Sequence, residues 1–141
     1  MKTVRMACKT LEVPAELACA LRTIGQPEHF KAARTLFCAG DDNAGIFLVC
    51  KGEIRLSVPG LPNLDRVFAK PSLLGLPSTF TGDPYRLDGV AMTDSDVIYV
   101  QRQRFLDLMR ARPSLCRKAM ILLSREEAFI LSALRKRRSF A

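Results

Sequence analysis

Residues 29–100 are a succession of short apolar runs, each stopped by turn residues before it is long enough to make a helix. Residues 35–38, 45–50 and 53–58 are three such runs. The cluster Ala39-Gly40-Asp41-Asp42-Asn43-Ala44-Gly45 separates the first two, Lys51-Gly52 makes a tight turn, and Pro59-Gly60-Leu61-Pro62-Asn63 reads as a hairpin loop. Ile54, Leu56 and Val58 alternate with Arg55 and Ser57, the period of a half-buried strand. Residues 64–68, 86–92 and 96–100 are further strand candidates. Several short strands at this spacing bury their apolar sides by closing on one another, so the segment must be a sandwich or a barrel.

Helical patterns flank it. Over 13–25, Pro14 suits a first turn, Leu17, Leu21 and Ile24 recur at helical spacing, and Gly25 is placed to end the helix. Residues 103–110 make a short helix with Phe105, Leu106 and Met109 on one side. Pro113 then opens a long helix to about residue 135, with Cys116, Ala119, Met120, Leu123, Ile130, Ala133 and Leu134 on a broad apolar face. Leu122, Phe129 and Leu131 widen that face beyond what one packing partner covers. The surplus points to a homodimer through Ala119, Leu122, Leu123, Phe129, Ile130 and Leu134; the alternative is that the stripe packs wholly on its own barrel.

Charge is segregated. The chain of 141 residues carries 22 Lys+Arg against 14 Asp+Glu, net +8. Eleven of the basic residues and only three acids fall in 102–138, so the whole excess sits there. Its densest part is Arg135-Lys136-Arg137-Arg138, which suits a nucleic-acid backbone or an acidic protein partner. It equally suits a solvated helix end, where cations complement the dipole. With 48% hydrophobic and 26% charged residues, the chain is expected to form one domain over 1–141, burying roughly 70% of its unfolded surface.

Several chemistries are excluded. The single His29 cannot supply a His-rich metal site, a two-histidine iron centre or any scheme needing two imidazoles. Cysteines at 8, 19, 38, 50 and 116 are odd in number and never form C-x-x-C, which argues against a zinc knuckle and a disulfide framework. Cys38 and Cys50 lie in apolar runs and are expected to be small buried hydrophobes. No nucleophile–base pairing or P-loop is present, so no enzyme and no cofactor are expected. No run approaches the roughly 18 apolar residues of a membrane span, and residues 1–8 lack the apolar core of a signal peptide, so a cytoplasmic chain without membrane contact is expected.

The order helix, short strands, short helix, long helix resembles the sensor half of the Crp/Fnr regulator family. Leu36-Phe37-Cys38-Ala39-Gly40-Asp41 resembles that family's strand entering a Gly-Asp turn. Residues 46–56 are similar to its apolar strand, glycine turn and next strand. Leu73-Leu74-Gly75 resembles the start of its phosphate-binding cassette, and Phe105 to Met109 followed by Pro113 resembles the lead into its dimer helix. The resemblance covers about residues 12–135. It implies an α+β fold: a β-rich jelly roll or double-stranded β-helix barrel over about 29–100, an N-terminal helix, and C-terminal helices over about 102–137 ending in a dimerisation-type helix.

The resemblance also locates a cassette. In the family a glycine precedes a glutamate that holds the ribose, and an arginine ten residues on pairs with the cyclic phosphate, followed by small or hydroxylated residues. Gly75 matches, but Leu76 stands at the glutamate position. Arg86 falls ten residues later, either in the phosphate role or as a plain surface strand residue. Leu87 and Asp88 replace the small pair, and Pro77, Pro84 and Tyr85 stiffen and fill the segment. A ribose hydroxyl facing Leu76 would be desolvated without a partner, a cost of about 1–3 kcal/mol.

The expectation is a degenerate cassette (Gly75, Leu76, Tyr85, Arg86, Leu87, Asp88) without high-affinity cyclic nucleotide binding, in a sensor or signalling module of unknown ligand. The family's helix-turn-helix follows the dimer helix, and the sequence ends at Ala141, so the module is expected to stand alone. Two alternatives are a ligand-free dimeric scaffold, and a transcription-associated protein that touches nucleic acid through its basic tail.

Overall fold

The structure, a computed structural model, describes residues 4–5, 12–69 and 71–138, with side chains at these positions except 4–5, 62–64, 129–130 and 132–138. A short β1 (Val4–Arg5) precedes α1 (Ala15–Ile24). Strands β2 (Gln26–Phe30), β3 (Thr35–Phe37), β4 (Gly45–Lys51), β5 (Glu53–Val58), β6 (Leu61–Ala69) and β7 (Ser72–Leu74) follow. A short α2 (Leu76–Thr81) interrupts the strands before β8 (Asp88–Ala91) and β9 (Ser95–Gln101), and α3 (Arg102–Ala111) and α4 (Pro113–Arg138) complete the order.

Two sheets face each other, β1-β6-β5-β8-β3 and β2-β9-β4-β7. Every pairing is antiparallel except the parallel β1–β6. This is the jelly-roll-type barrel that the resemblance implies, with an N-terminal helix and C-terminal helices.

The described residues build two apolar cores, and β4 belongs to both. Its Phe47 and Val49 join Phe37, Ile54, Leu56, Phe68, Leu74, Tyr85, Ala91 and Val97 between the sheets. Its Ile46 and Leu48 face the other way, joining Leu17 and Leu21 of α1, Phe105 and Met109 of α3, and Leu115, Ala119 and Leu122 of α4. Burial on both faces is why residues 45–49 read as a continuous apolar run while β5 alternates.

Four expectations need correction. The strand placed at 86–92 is shorter, Asp88–Ala91, and leaves Arg86 and Leu87 in the preceding loop. β2 forms over Gln26–Phe30, earlier than the texture change at 29, because its polar residues face solvent while its backbone pairs with β9. Residues 61–63 are strand rather than loop. Cys38 is exposed, and Cys50 is only half-buried.

Gly25 does end α1, its amide bonding to the Leu21 carbonyl, but with φ −95° it is not left-handed. A side chain there would collide with Ile98 of β9, whose Cγ2 lies 2.3 Å from where a Cβ would stand. The glycine lets the helix touch the sheet.

Candidate ligand cassette

Between β7 and β8 the chain leaves the sheet, makes one short helix and returns. Gly75 starts this excursion with φ +84°, a left-handed conformation that favours glycine. Pro77 then sits in the first turn of α2, where a missing amide hydrogen costs nothing. Thr79 ties the turn down, donating its hydroxyl to the Gly75 carbonyl at 2.7 Å, with Asn43 Oδ1 3.3 Å from the same oxygen. From α3, Arg102 Nε donates to the Thr79 carbonyl at 3.0 Å. Asn43 Nδ2 is buried without a hydrogen-bond partner among the described residues.

The six cassette residues go to different places. Leu76 is 1% exposed and packs into the helix-side core. Tyr85 is 5% exposed and turns inward, stacking on Phe37 with ring centroids 4.4 Å apart. Burial raises its hydroxyl pKa. Arg86 points outward, its side chain 71% exposed and its guanidinium 3.8 Å from Asp83. Leu87 packs partly on the inter-sheet core. Asp88 Oδ1 accepts from the Ala39 amide at 2.7 Å, holding the β3–β4 loop to β8.

A family model of the cyclic nucleotide-binding domain matches residues 27–112. The chain belongs to this family. Solved structures with the same fold include the catabolite activator protein of Thermus thermophilus, at TM-score 0.72 and 22% identity, covering 88% of this chain and 61% of that one. A protein described under a cyclic-GMP-dependent signalling pathway that regulates bacterial phytopathogenesis aligns at TM-score 0.74 and 21% identity, covering 86% and 96%. Oxidised CprK in complex with o-chlorophenolacetic acid aligns at TM-score 0.72 and 11% identity, covering 98% and 57%. The chain thus spans about three fifths of the Thermus protein's length. No curated protein sequence matches it significantly.

Within this cyclic nucleotide-binding fold, α4 divides its apolar residues. Ala119 and Leu122, assigned from sequence to a dimer face, are buried in the chain's own core together with Leu115. Leu123 packs partly on that core. Met120, Ile121 and Leu131 are 57%, 40% and 53% exposed. The side chains of Phe129, Ile130 and Leu134, and of the tail residues Arg135, Lys136, Arg137 and Arg138, lie outside the described residues.

Part of the basic excess is used internally. Arg112 Nη2 and Lys118 Nζ both reach Glu16 of α1, at 2.9 and 2.5 Å. The hydrogen bond from Lys118 is the main cause that holds the Glu16 pKa below the ordinary range, with the positive charges of Lys118 and Arg112 adding to it. His29, at the outer edge on β2, lies 2.7 Å from Asp96 of β9, with both side chains about half exposed. No three of the described His, Cys, Asp and Glu side chains converge as metal ligands. No helix among the described residues is long and apolar enough to cross a membrane.

Two functional candidates escaped sequence reasoning, the bridge from Arg102 to Thr79 and the buried pair Arg66–Glu126. Arg66 is 6% exposed and Glu126 9% exposed. Their charges stand 3.8 Å apart, and Arg66 Nη1 makes no hydrogen bond among the described residues. Burial holds Arg66 below its ordinary pKa and, with the neighbouring negative charge of Glu127, raises that of Glu126. The available signal was a charge interrupting each apolar pattern: Arg66 two residues before Phe68, and Glu126 four after Leu122.

Proposed function

We propose that these residues act as one non-catalytic sensor or signalling domain whose cassette no longer holds a cyclic nucleotide tightly. The observation that carries this reading is Leu76. It occupies the position where the family places its ribose-holding glutamate, and it is spent in the helix-side core at 1% exposure. Arg86 is exposed beside Asp83, so a phosphate would compete with a carboxylate for it. The fold itself carries other ligands, since CprK was solved with o-chlorophenolacetic acid. A ligand would act by shifting α4 against the barrel, since this helix joins the helix-side core to an exposed apolar surface.

The exposed Met120, Ile121 and Leu131 support a second element of the reading, a homodimer through α4. The basic residues 135–138 are proposed to meet nucleic-acid phosphate or an acidic protein in the assembled state.

A thermal-shift screen with cyclic AMP, cyclic GMP and cyclic dinucleotides tests the main reading. No shift is expected at micromolar ligand. A robust shift that disappears in Arg86→Ala would overturn it.

A further inference from the structure

The sequence has one histidine, and the fold gives it a partner. On β2, Phe30 packs against the core between the sheets, so by strand alternation His29 faces the other way. Asp96 of β9 stands opposite it in register, and Lys51 of β4 is the register partner of Asp96 on the far side. Histidine, aspartate and lysine thus form a row across three neighbouring strands, and all three are exposed. β2 is the outermost described strand of its sheet, so the row ends at a margin that a second molecule can reach.

His29 Nδ1 and Asp96 Oδ1 are 2.7 Å apart. A carboxylate can only accept, so in the neutral ring Nδ1 carries the proton and Nε2 the lone pair. The contact also orients the ring and stabilises the positive charge that develops on it when Nε2 forms a bond. The neighbouring carboxylate of Asp94 is occupied, its Oδ1 accepting from the Ala32 amide at 2.9 Å. The hydroxyl next to Asp96 in sequence, that of Ser95, is buried and donates to the Thr93 carbonyl at 2.8 Å. The row therefore offers no hydroxyl for His29 to activate, and the imidazole is itself the nucleophile. A lone pair, a carboxylate behind it and an ammonium in the same row suit an incoming tetrahedral anion.

We propose that His29 is a phosphoryl-acceptor site, modified at Nε2 by a phosphoramidate or an acyl phosphate. The Nε2 lone pair forms the new N–P bond. The bond from phosphorus to the donor's nitrogen or acyl oxygen breaks, and its electron pair leaves on ammonia or on a carboxylate. The Nδ1 proton stays, so the ring becomes an imidazolium held by Asp96, while Lys51 offsets the phosphoryl charge. Asp96 and Lys51 are positioning residues. The site is independent of the cassette reading and lies elsewhere on the barrel.

The test incubates the full chain with potassium phosphoramidate and, separately, with acetyl phosphate, and reads intact mass and phosphorus NMR. One acid-labile phosphoryl group is expected, bonded at Nε2 and absent from His29→Gln. Asp96→Asn keeps the shape but removes the charge, and should slow the reaction by about tenfold. Lys51→Gln should also slow it. Both substitutions lie on exposed side chains, and the isomer formed by the wild type decides the matter even where a variant fails to fold. No adduct with either donor overturns the proposal. So does an adduct at Nδ1, one that forms equally in His29→Gln, or an unchanged rate in folded Asp96→Asn, which would mark His29 as an ordinary surface imidazole.

Discussion

The Tyr85 hydroxyl donates to the Gly45 carbonyl at 2.6 Å and accepts from the Gly45 amide at 3.2 Å. The backbone on either side is held as firmly, with the Tyr85 amide on the Asp41 carbonyl at 3.0 Å and the Gly40 amide on the Tyr85 carbonyl at 2.7 Å. The returning arm of the cassette is thus sewn to the β3–β4 loop. With Tyr85 turned in, its neighbour Arg86 is turned out.

Removing that hydroxyl leaves both polar groups of Gly45 short of a buried partner. Tyr85→Phe is expected to destabilise the fold by about 1–3 kcal/mol, read from urea denaturation at neutral pH. Tyr85→Ala also opens a cavity beside Phe37 and should cost about 3–5 kcal/mol.

Restoring the family's glutamate should fail. Leu76→Glu puts a carboxylate into the core formed with Leu17, Ile46 and Phe105, so it is expected to cost more than about 3 kcal/mol and confer no cyclic nucleotide binding. Leu76→Met, nearly equal in volume, should cost less than about 1.5 kcal/mol. Calorimetry with and without cyclic AMP separates the outcomes; a folded, ligand-binding Leu76→Glu protein would contradict the expectation.

Two carboxylates should give opposite pH signatures. Glu126 has a raised folded-state pKa, so its contribution is most favourable in acid and is lost as pH climbs from the ordinary glutamate value of about 4.3 through the folded one. Unfolding free energies across pH 4–8 should therefore fall relative to Glu126→Gln, by about 1.4 kcal/mol per pH unit at the steepest. Glu16 has a lowered pKa, so its contribution is present above the ordinary value and lost as pH drops through the folded one. The same measurement on Glu16→Gln should differ from wild type near neutrality and converge with it in acid.

Dimerisation through α4 is tested most cleanly at Met120, which is 57% exposed and contributes nothing to the chain's own core. Met120→Asp is expected to convert a sedimenting dimer to monomer with the monomer fold's stability changed by less than about 0.5 kcal/mol. A wild-type chain that sediments as a monomer at tens of micromolar would refute this.

Much of the barrel was legible because its signals are local. Ile54, Leu56 and Val58 alternate, and Lys51-Gly52 turns the chain between β4 and β5. β2 was missed for the opposite reason: Gln26 to His29 are exposed, and only pairing with β9 makes them a strand. α2 was hidden because a six-residue helix offers too few turns for a periodicity to show, and its start depends on the left-handed Gly75 rather than on an apolar pattern.

The sequence by itself determined most of the strands and turns, the flanking helices and the address of the basic excess, since each depends on residues a few positions apart. Only the tertiary structure decided that Leu76, Ala119 and Leu122 are spent in the chain's own core, that Arg86 faces solvent, and that Arg66 meets Glu126. Those outcomes depend on which surfaces of distant segments are pressed together. Burial and charge pairing act through space, and no short-range pattern records them.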